Sequence, residues 1–372
     1  MNLEEARNEI NEINKQMLEL FQKRMDCSFA VAEYKKANGM AIFDGAREQK
    51  ILDTVEGMAD EKYKSYARDF FQGIMDVSRD YQAELLCDRA SAPTPVYVDD
   101  IDPSLIVFQG VDGSYSSEVV YQCFGDKENI SVQTFEDVFK TVMQTEGAFG
   151  ILPIENSSTG AITEVFNLLS KYNLYIFAEK IIKIDHNLLG IPSARIEDIE
   201  EIYSHPQAFM QSSEYLDTLT GVKQIPYYNT AISAKRIAEL GDKKCAAIGS
   251  QAAAKLYGLN ILRENINNNA NNFTRFIIVS KDMIIPGNAE KVSVMFAVPH
   301  ESGALMRCLR AFAKKELNLI KLESRPHPDK AWQYMFFADF EVDFNKTDIA
   351  DILPYIMKET LDFKFLGNYK TL

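Results

Sequence analysis

Paired cysteines are missing from this sequence. Its five cysteines, Cys27, Cys87, Cys123, Cys245 and Cys308, are scattered, with no C-x-x-C spacing. That pattern excludes a zinc ribbon or a disulfide frame and points to free thiols in a reducing compartment. Basic charge is also short: 40 Lys and Arg stand against 54 Asp and Glu, a net charge of −14. Such a balance argues against general nucleic-acid or anionic-membrane binding, so an anionic ligand needs a few placed cations. No apolar run is long enough to span a bilayer, and Met1-Asn2-Leu3-Glu4-Glu5 is acidic where a leader would be basic. The expectation is a cytoplasmic protein. A G-x-G-x-x-G after a strand, a metal-ligand spacing and a Ser-His-Asp order are all absent. Neither a dinucleotide cofactor nor a metal is therefore expected. What is present is an ordinary globular composition, 46% hydrophobic and 25% charged over 372 residues. That length supports two or three domains with proper cores.

Glycine and proline do not occur from Leu3 to Asn38, where apolar residues recur at Ile10, Ile13, Met17, Leu20, Phe21 and Val31. One helix of about 50 Å results at 1.5 Å per residue. A helix this long needs a partner, and an intertwined helical dimer is expected. A second helix is expected from about Asp44 to Met58 and a third from about Glu61 to Leu86. Arg24 and Lys35 share a helix face with Leu20 and Val31, where a solvated cation is out of place. Asp44, Arg47 and Glu48 are spaced i, i+3, i+4, and Ser78 and Gln82 are spaced i, i+4. Each alone reads as a surface salt bridge or a long stem lying over a core.

As a set, with Arg7, these residues resemble the active site of the all-helical chorismate mutases. The resemblance covers residues 1–90 and implies that Arg7 reaches the site of a partner chain in a homodimer. It implies that Arg7 and Arg24 clamp the two carboxylates of chorismate, while Lys35 and Gln82 donate to its ether oxygen. Glu48 would hold the ring hydroxyl with help from the Asp44 backbone, and Arg47 and Ser78 would orient these groups. The rearrangement is pericyclic. It needs the compact conformer held and the developing ether charge stabilised, with no nucleophile.

Ala90-Ser91-Ala92-Pro93-Thr94-Pro95 and Asp99-Asp100-Ile101-Asp102-Pro103 read as a linker. Beyond it, short apolar runs alternate with helical stretches: Leu105–Phe108, Gly150–Ile154, Tyr175–Ile184, Ala246–Ile248 and Phe276–Val279. That is an α/β pattern with a mainly parallel sheet, long enough for two lobes around a cleft. Polar knots adjoin the strands: Gly113-Ser114-Tyr115-Ser116, Pro153-Ile154-Glu155-Asn156-Ser157-Ser158, Ser204-His205-Pro206-Gln207, and Asn272-Phe273-Thr274-Arg275-Phe276. A Ser or Asn before a helix is more often a cap than a ligand, and His205 before a proline can be a turn residue. Arg275 can grip a carboxylate in a two-pronged hydrogen bond.

Together the four knots, with Tyr257-Gly258-Leu259, resemble prephenate dehydratase over about residues 104–282. Ser117 and Asn268 depart from the residues frequent there, His and Asp respectively. The resemblance implies a two-lobed fold like type II periplasmic binding proteins and a reaction that removes CO2 and the ring hydroxyl. Thr274 would assist the departing hydroxyl and Arg275 would anchor a carboxylate. Asn156, Ser157, Ser204 and Gln211 would contact prephenate, with Glu155 in support.

Lys281 to Glu290 reads as a second linker. The order that follows, strand-helix-strand-strand-helix-strand over residues 290–372, is ferredoxin-like α+β. Gly303-Ala304-Leu305, Asn318 and Glu323-Ser324-Arg325-Pro326 resemble the ACT domains of prephenate dehydratases, which implies an L-phenylalanine site between subunits. The whole reading is a multidomain, bifunctional enzyme of phenylalanine biosynthesis, inhibited by its end product. The alternatives are a mutase fused to a prephenate dehydrogenase, or to a silent amino-acid-sensing module.

Overall fold

The computed structural model describes residues 1–38, 40, 44–86, 96–98, 102–327, 330, 332–342, 349–358 and 360–372. The chain divides into two compact units, Met1–Ala92 and Pro93–Leu372.

The first unit is three helices: α1 (Leu3–Ala37), α2 (Gly45–Met58) and α3 (Lys64–Leu86). A reciprocal capping box between Asn2 and Glu5 starts α1, and the Asp44 carboxylate accepts the Arg47 N–H at 3.0 Å to start α2. A single 3₁₀ turn, Glu61–Tyr63, precedes α3. Both α1 and α2 pack on α3. Among the described residues of this unit, only Ala32, Leu52 and Met75 are buried apolar side chains. The periodic row of α1 stays uncovered: Ile10, Ile13, Met17, Leu20 and Val31 are all exposed.

The second unit has two principal sheets. In the first lobe, the strand Ala148–Asn156 lies parallel to Leu105–Gln109, which is parallel to Asn129–Val132. On its other side runs the antiparallel strand Phe273–Ser280, itself antiparallel to Tyr175–Lys183. In the second lobe, Cys245–Gly249 is parallel to Glu201–Ser204 and antiparallel to Asn187–Gly190. Lys223–Pro226 and Asn260–Arg263 form its edges. The sheets are thus mixed, where the sequence pattern predicts mainly parallel pairing. The antiparallel strands are those that carry the chain between lobes, through residues 184–186 and back through 264–272. Side chains start the helices that cover the sheets, with Ser114, Thr134, Asn229 and Ser250 each accepting the N–H three residues on.

The last part of the chain has the βαββαβ order, with strands Lys291–Ala297, Asn318–Pro326, Tyr334–Glu341 and Phe363–Thr371. Their spatial order is second, third, first, fourth, all antiparallel. Helices Ala304–Lys314 and Ile349–Met357 cover one face around Val294, Phe296, Phe312, Phe340 and Ile352. The other face, with Met295, Met335, Phe337 and Leu366, shares a core with Phe166 and Leu169 of the first lobe. Phe166 and Phe337 meet edge to face at 4.6 Å. The sheet also continues edge to edge into the first lobe, since Lys370 and Thr371 pair in parallel with Ala178 and Glu179. Gly367, at φ 153°, permits this approach: a Cβ there would lie 2.1 Å from the Ile176 carbonyl oxygen. The expected second linker contains a strand, Ile284–Pro286, paired in parallel with Val96–Val98. Of the first linker, Ala90–Pro95 and Asp99–Ile101 lie outside the described residues. Among the described residues, no helix is long and apolar enough to cross a membrane.

Candidate active sites

Strand register decides which side chains meet at Thr274. The pairing sets Thr274 opposite Asn156 and Arg275 opposite Glu155. Because side chains alternate along a strand, Thr274 and Asn156 share one face and Arg275 and Glu155 the other. Asn156 is held rigidly. Its amide oxygen accepts the backbone N–H groups of Ser158 (2.9 Å) and Thr159 (3.1 Å). A backbone N–H can only donate, so the Asn156 NH2 must point the opposite way. It donates to Asn272 Oδ1 at 2.8 Å and to Thr274 Oγ1 at 2.9 Å, with the Phe273 carbonyl at 3.1 Å. The Thr274 oxygen is therefore an acceptor within the protein. Its own proton has no acceptor among the described residues.

The same direction continues outward. Asn272 Oδ1 is occupied as an acceptor, so its NH2 donates to Gln211 Oε1 at 3.3 Å. Ser157 pins the start of the strand, its hydroxyl donating to the Asn271 carbonyl and accepting the Phe273 N–H, both at 2.9 Å. Asn268 ties the returning interlobe segment to the Gln211 helix, its N–H donating to the Gln211 carbonyl at 2.7 Å. Two further bonds join the Gly113-Ser114 loop to the second lobe: Ser250 Oγ to the Gly113 carbonyl (3.1 Å) and Tyr257 OH to the Asp112 carbonyl (2.8 Å). Ser114 itself is a helix cap, as is His205, whose Nδ1 accepts the Gln207 N–H.

Three expected ligands are placed elsewhere. Arg275 donates to Glu179 and Asp339, both at 2.6 Å, and to the Tyr369 hydroxyl at 2.7 Å. Its guanidinium is turned to this junction with the last sheet, on the strand face opposite Thr274. Glu155 turns the same way and pairs with Lys321 at 2.6 Å. Ser204 is completely buried and donates to the Ile248 carbonyl at 3.1 Å. At the junction, burial pushes the Glu179 carboxyl up, but Arg275 and Lys291 outweigh it and hold the carboxyl below its usual range. Burial likewise opposes the Arg275 charge, and Tyr369, Asp339 and Glu179 reverse that effect.

In the first unit, Arg24 donates to Ser78 Oγ, bringing α1 onto α3. Burial lowers the Arg24 pKa, with Glu48 acting against it. Glu48 pairs with Arg79 at 2.8 Å. The Gln82 amide oxygen is buried with no partner among the described residues. Lys35 is partly buried, Asp44 caps α2, and Arg7 and Arg47 are exposed. Arg7 lies about 25 Å along α1 from Arg24 at 1.5 Å per residue, outside this cluster. Arg79 escaped the sequence reading because a cation beside Ser78 on an exposed-looking helix carries no signal of its own.

At the C-terminal candidate site, Gly303 takes a left-handed φ of 79° at the start of its helix. Ala304 is buried and Leu305 partly so. Strand alternation splits the Glu323-Ser324-Arg325-Pro326 run. Glu323 and Arg325 pair at 2.7 Å, and Arg325 reaches Thr163 of the first lobe at 3.0 Å. Ser324 and Pro326 are exposed on the opposite face, and Asn318 donates to Glu341 at 2.5 Å.

Comparison with known proteins matches these two units separately and together. The family model for chorismate mutase type II matches residues 6–83, and that for prephenate dehydratase matches residues 106–284. A bifunctional chorismate mutase/prephenate dehydratase of Buchnera aphidicola (subsp. Acyrthosiphon pisum) is 34% identical over 98% of this chain and 95% of its own length. The solved prephenate dehydratase of Arthrobacter aurescens, in complex with L-Phe, has a TM-score of 0.65. It is 29% identical over 72% of this chain and 89% of its own. A solved chain described as a quorum-quenching acylase, GqqA, has a TM-score of 0.65. It is 30% identical over 72% of this chain and 98% of its own. The full-length match, with both family models falling on the units that hold the two clusters, shows that the chain belongs to the bifunctional chorismate mutase/prephenate dehydratases.

Proposed function

We propose that the two reactions divide between the clusters as follows. Prephenate binds between the lobes with its ring hydroxyl at Thr274. The bond to the ring carboxylate breaks, CO2 leaves, and the electron pair enters the ring as the hydroxyl departs. One proton is taken up overall, and solvent supplies it. Thr274 serves as a hydrogen-bond donor to the departing oxygen, and aromatisation drives the step. The observation that carries this reading is the Asn156 Nδ2 to Thr274 Oγ1 bond of 2.9 Å. It polarises the hydroxyl and leaves its proton pointing outward. Glu155 and Arg275 act from behind, holding the backbone on which Asn156 and Thr274 sit, and Ser157 and Ser204 shape the walls.

Replacing Asn156 with aspartate tests this direction. A carboxylate of the same shape accepts where the amide donates, and would take the Thr274 proton for itself. Prephenate turnover in Asn156→Asp is expected to fall at least 100-fold, with chorismate turnover, which belongs to the other unit, as the control for intact protein. Near-native dehydration in this variant would remove the polarised hydroxyl from the mechanism.

In the mutase, Arg24, Lys35, Glu48 and Gln82 hold chorismate in one chain, with Asp44, Arg47 and Ser78 around them. Arg7 arrives from a partner chain, and the uncovered row of α1 is the surface that chain buries. The C-terminal part is an ACT domain that binds L-phenylalanine at Gly303-Ala304-Leu305, Asn318 and Ser324, with Glu323, Arg325 and Pro326 shaping the strand. The protein works in the cytoplasm. Inhibition requires that phenylalanine bind one state of the enzyme more tightly than another. A Glu323→Ala, Ser324→Ala double variant is expected to keep prephenate turnover and lose inhibition by added L-phenylalanine. Undiminished inhibition would move the effector site elsewhere.

A further inference from the structure

The dehydratase cluster contains a buried imidazole that the mechanism above does not use. His186 sits on the short interlobe crossing, between the strands Tyr175–Lys183 and Asn187–Gly190, and is 3% exposed. Its backbone N–H donates to Asn267 Oδ1 at 2.7 Å, which locks it to the returning crossing. Its Nε2 lies 2.9 Å from Gln211 Oε1 and its Nδ1 lies 3.1 Å from the Tyr115 hydroxyl.

The roles of these atoms follow from the chain of donors already described. Backbone N–H groups orient Asn156, Asn156 orients Asn272, and the Asn272 NH2 makes Gln211 Oε1 an acceptor. The imidazole nitrogen facing the same oxygen must then carry a hydrogen. In the neutral ring this leaves Nδ1 with a lone pair facing the Tyr115 hydroxyl, whose single proton is shared between Nδ1 and the Asp185 carbonyl, each at 3.1 Å. With its oxygen held by two donors, Gln211 has its NH2 group turned outward, and that nitrogen has no partner among the described residues.

We propose that His186 is a positioning residue of the dehydratase: it fixes the amide of Gln211 so that the NH2 donates to an oxygen of the bound substrate. The inference rests on the dehydratase reading and adds to it a direction for Gln211. A freely flipping amide would present an oxygen to an anionic substrate half the time, which repels where the NH2 attracts. The His186 Nε2–H, a second and shorter donor beside the Asn272 NH2, holds the amide against that flip. It also ties the setting to the lobe crossing, so the donor is aimed only when both lobes are in register. Burial lowers the His186 pKa, which keeps the ring neutral at physiological pH.

Steady-state prephenate kinetics on the full chain test this, with mutase turnover measured in the same preparations. His186→Leu is expected to lower dehydratase kcat/KM by about 10- to 100-fold. His186→Gln, whose amide nitrogen can replace Nε2–H, is expected to recover most of that loss, a recovery a merely structural role would not produce. In a Gln211→Leu background the His186→Leu change is expected to cost nothing further, because both remove one interaction. Native kinetics in His186→Leu, or losses that multiply in the double variant, would overturn the proposal. Failure of the dehydratase reading itself looks different: the unaltered protein would then not consume prephenate at all.

Discussion

Thr274→Val is expected to raise the dehydratase kcat barrier by about 3 kcal/mol, a loss of more than 100-fold, the usual cost of one donor aimed at developing charge. Valine keeps the shape of threonine and removes only the hydroxyl. Asn156 loses one acceptor but keeps Asn272 Oδ1 at 2.8 Å and the Phe273 carbonyl at 3.1 Å, so its orientation survives. The structural cost of the lost bond is about 1 kcal/mol, too little to unfold the lobe. The loss should therefore appear in kcat, with KM for prephenate changed only a few-fold. Mutase activity, carried by the other unit, should be unchanged. Thr274→Ser, which keeps the hydroxyl, should stay within about tenfold of native. Steady-state rates of phenylpyruvate formation decide the matter, and a variant impaired only in KM would mean that Thr274 binds substrate without assisting departure.

The second large effect is on stability. Arg275→Met is expected to destabilise the second unit by about 3–5 kcal/mol, as for a buried ion pair that loses one partner. Arg275 answers two fully buried carboxylates, Glu179 and Asp339. Without it, Glu179 keeps Lys291 and the Thr371 hydroxyl. Asp339 keeps only the Ser293 hydroxyl among the described residues and becomes an uncompensated charge. Arg275→Met combined with Asp339→Leu should recover much of the loss, since an apolar pair of similar size is often tolerated where half an ion pair is not. Urea unfolding of the three proteins, read on second-unit signals, measures this. The native junction also sets a pH limit. Because the Glu179 carboxyl is held below its ordinary value, its stabilising contribution is complete above the unfolded-state carboxylate pKa. It is lost as pH falls through the lower folded value.

Arg275 also shows what a sequence can and cannot say. The Asn272-Phe273-Thr274-Arg275-Phe276 run is visible as a polar knot beside a buried strand, and Thr274 and Asn156 do meet. Which of two adjacent residues faces the cleft depends on the register with Ala148–Asn156, and that pairing is long-range. The same alternation separates Glu155 from Asn156, and Glu323 and Arg325 from Ser324. A lone His on a crossing segment carries no periodic signal, so His186 is not visible in the sequence; Asn272 is visible in the knot, but as one of six Asn at positions 265, 267–269, 271 and 272 nothing marks its role. The helices of the first unit were legible for the opposite reason: their caps and repeats are local. Mixed sheet pairing was not, because the two strands that reverse direction do so where the chain changes lobes.

The central claim is that one chain carries chorismate through prephenate to phenylpyruvate, with the second step at Thr274. Proton NMR of chorismate incubated with the purified full-length protein, without NAD, tests it most directly, beside Thr274→Val under identical conditions. The account predicts phenylpyruvate from the native protein and accumulated prephenate from the variant. Prephenate accumulating in both samples would contradict it, leaving a mutase joined to a catalytically silent remainder.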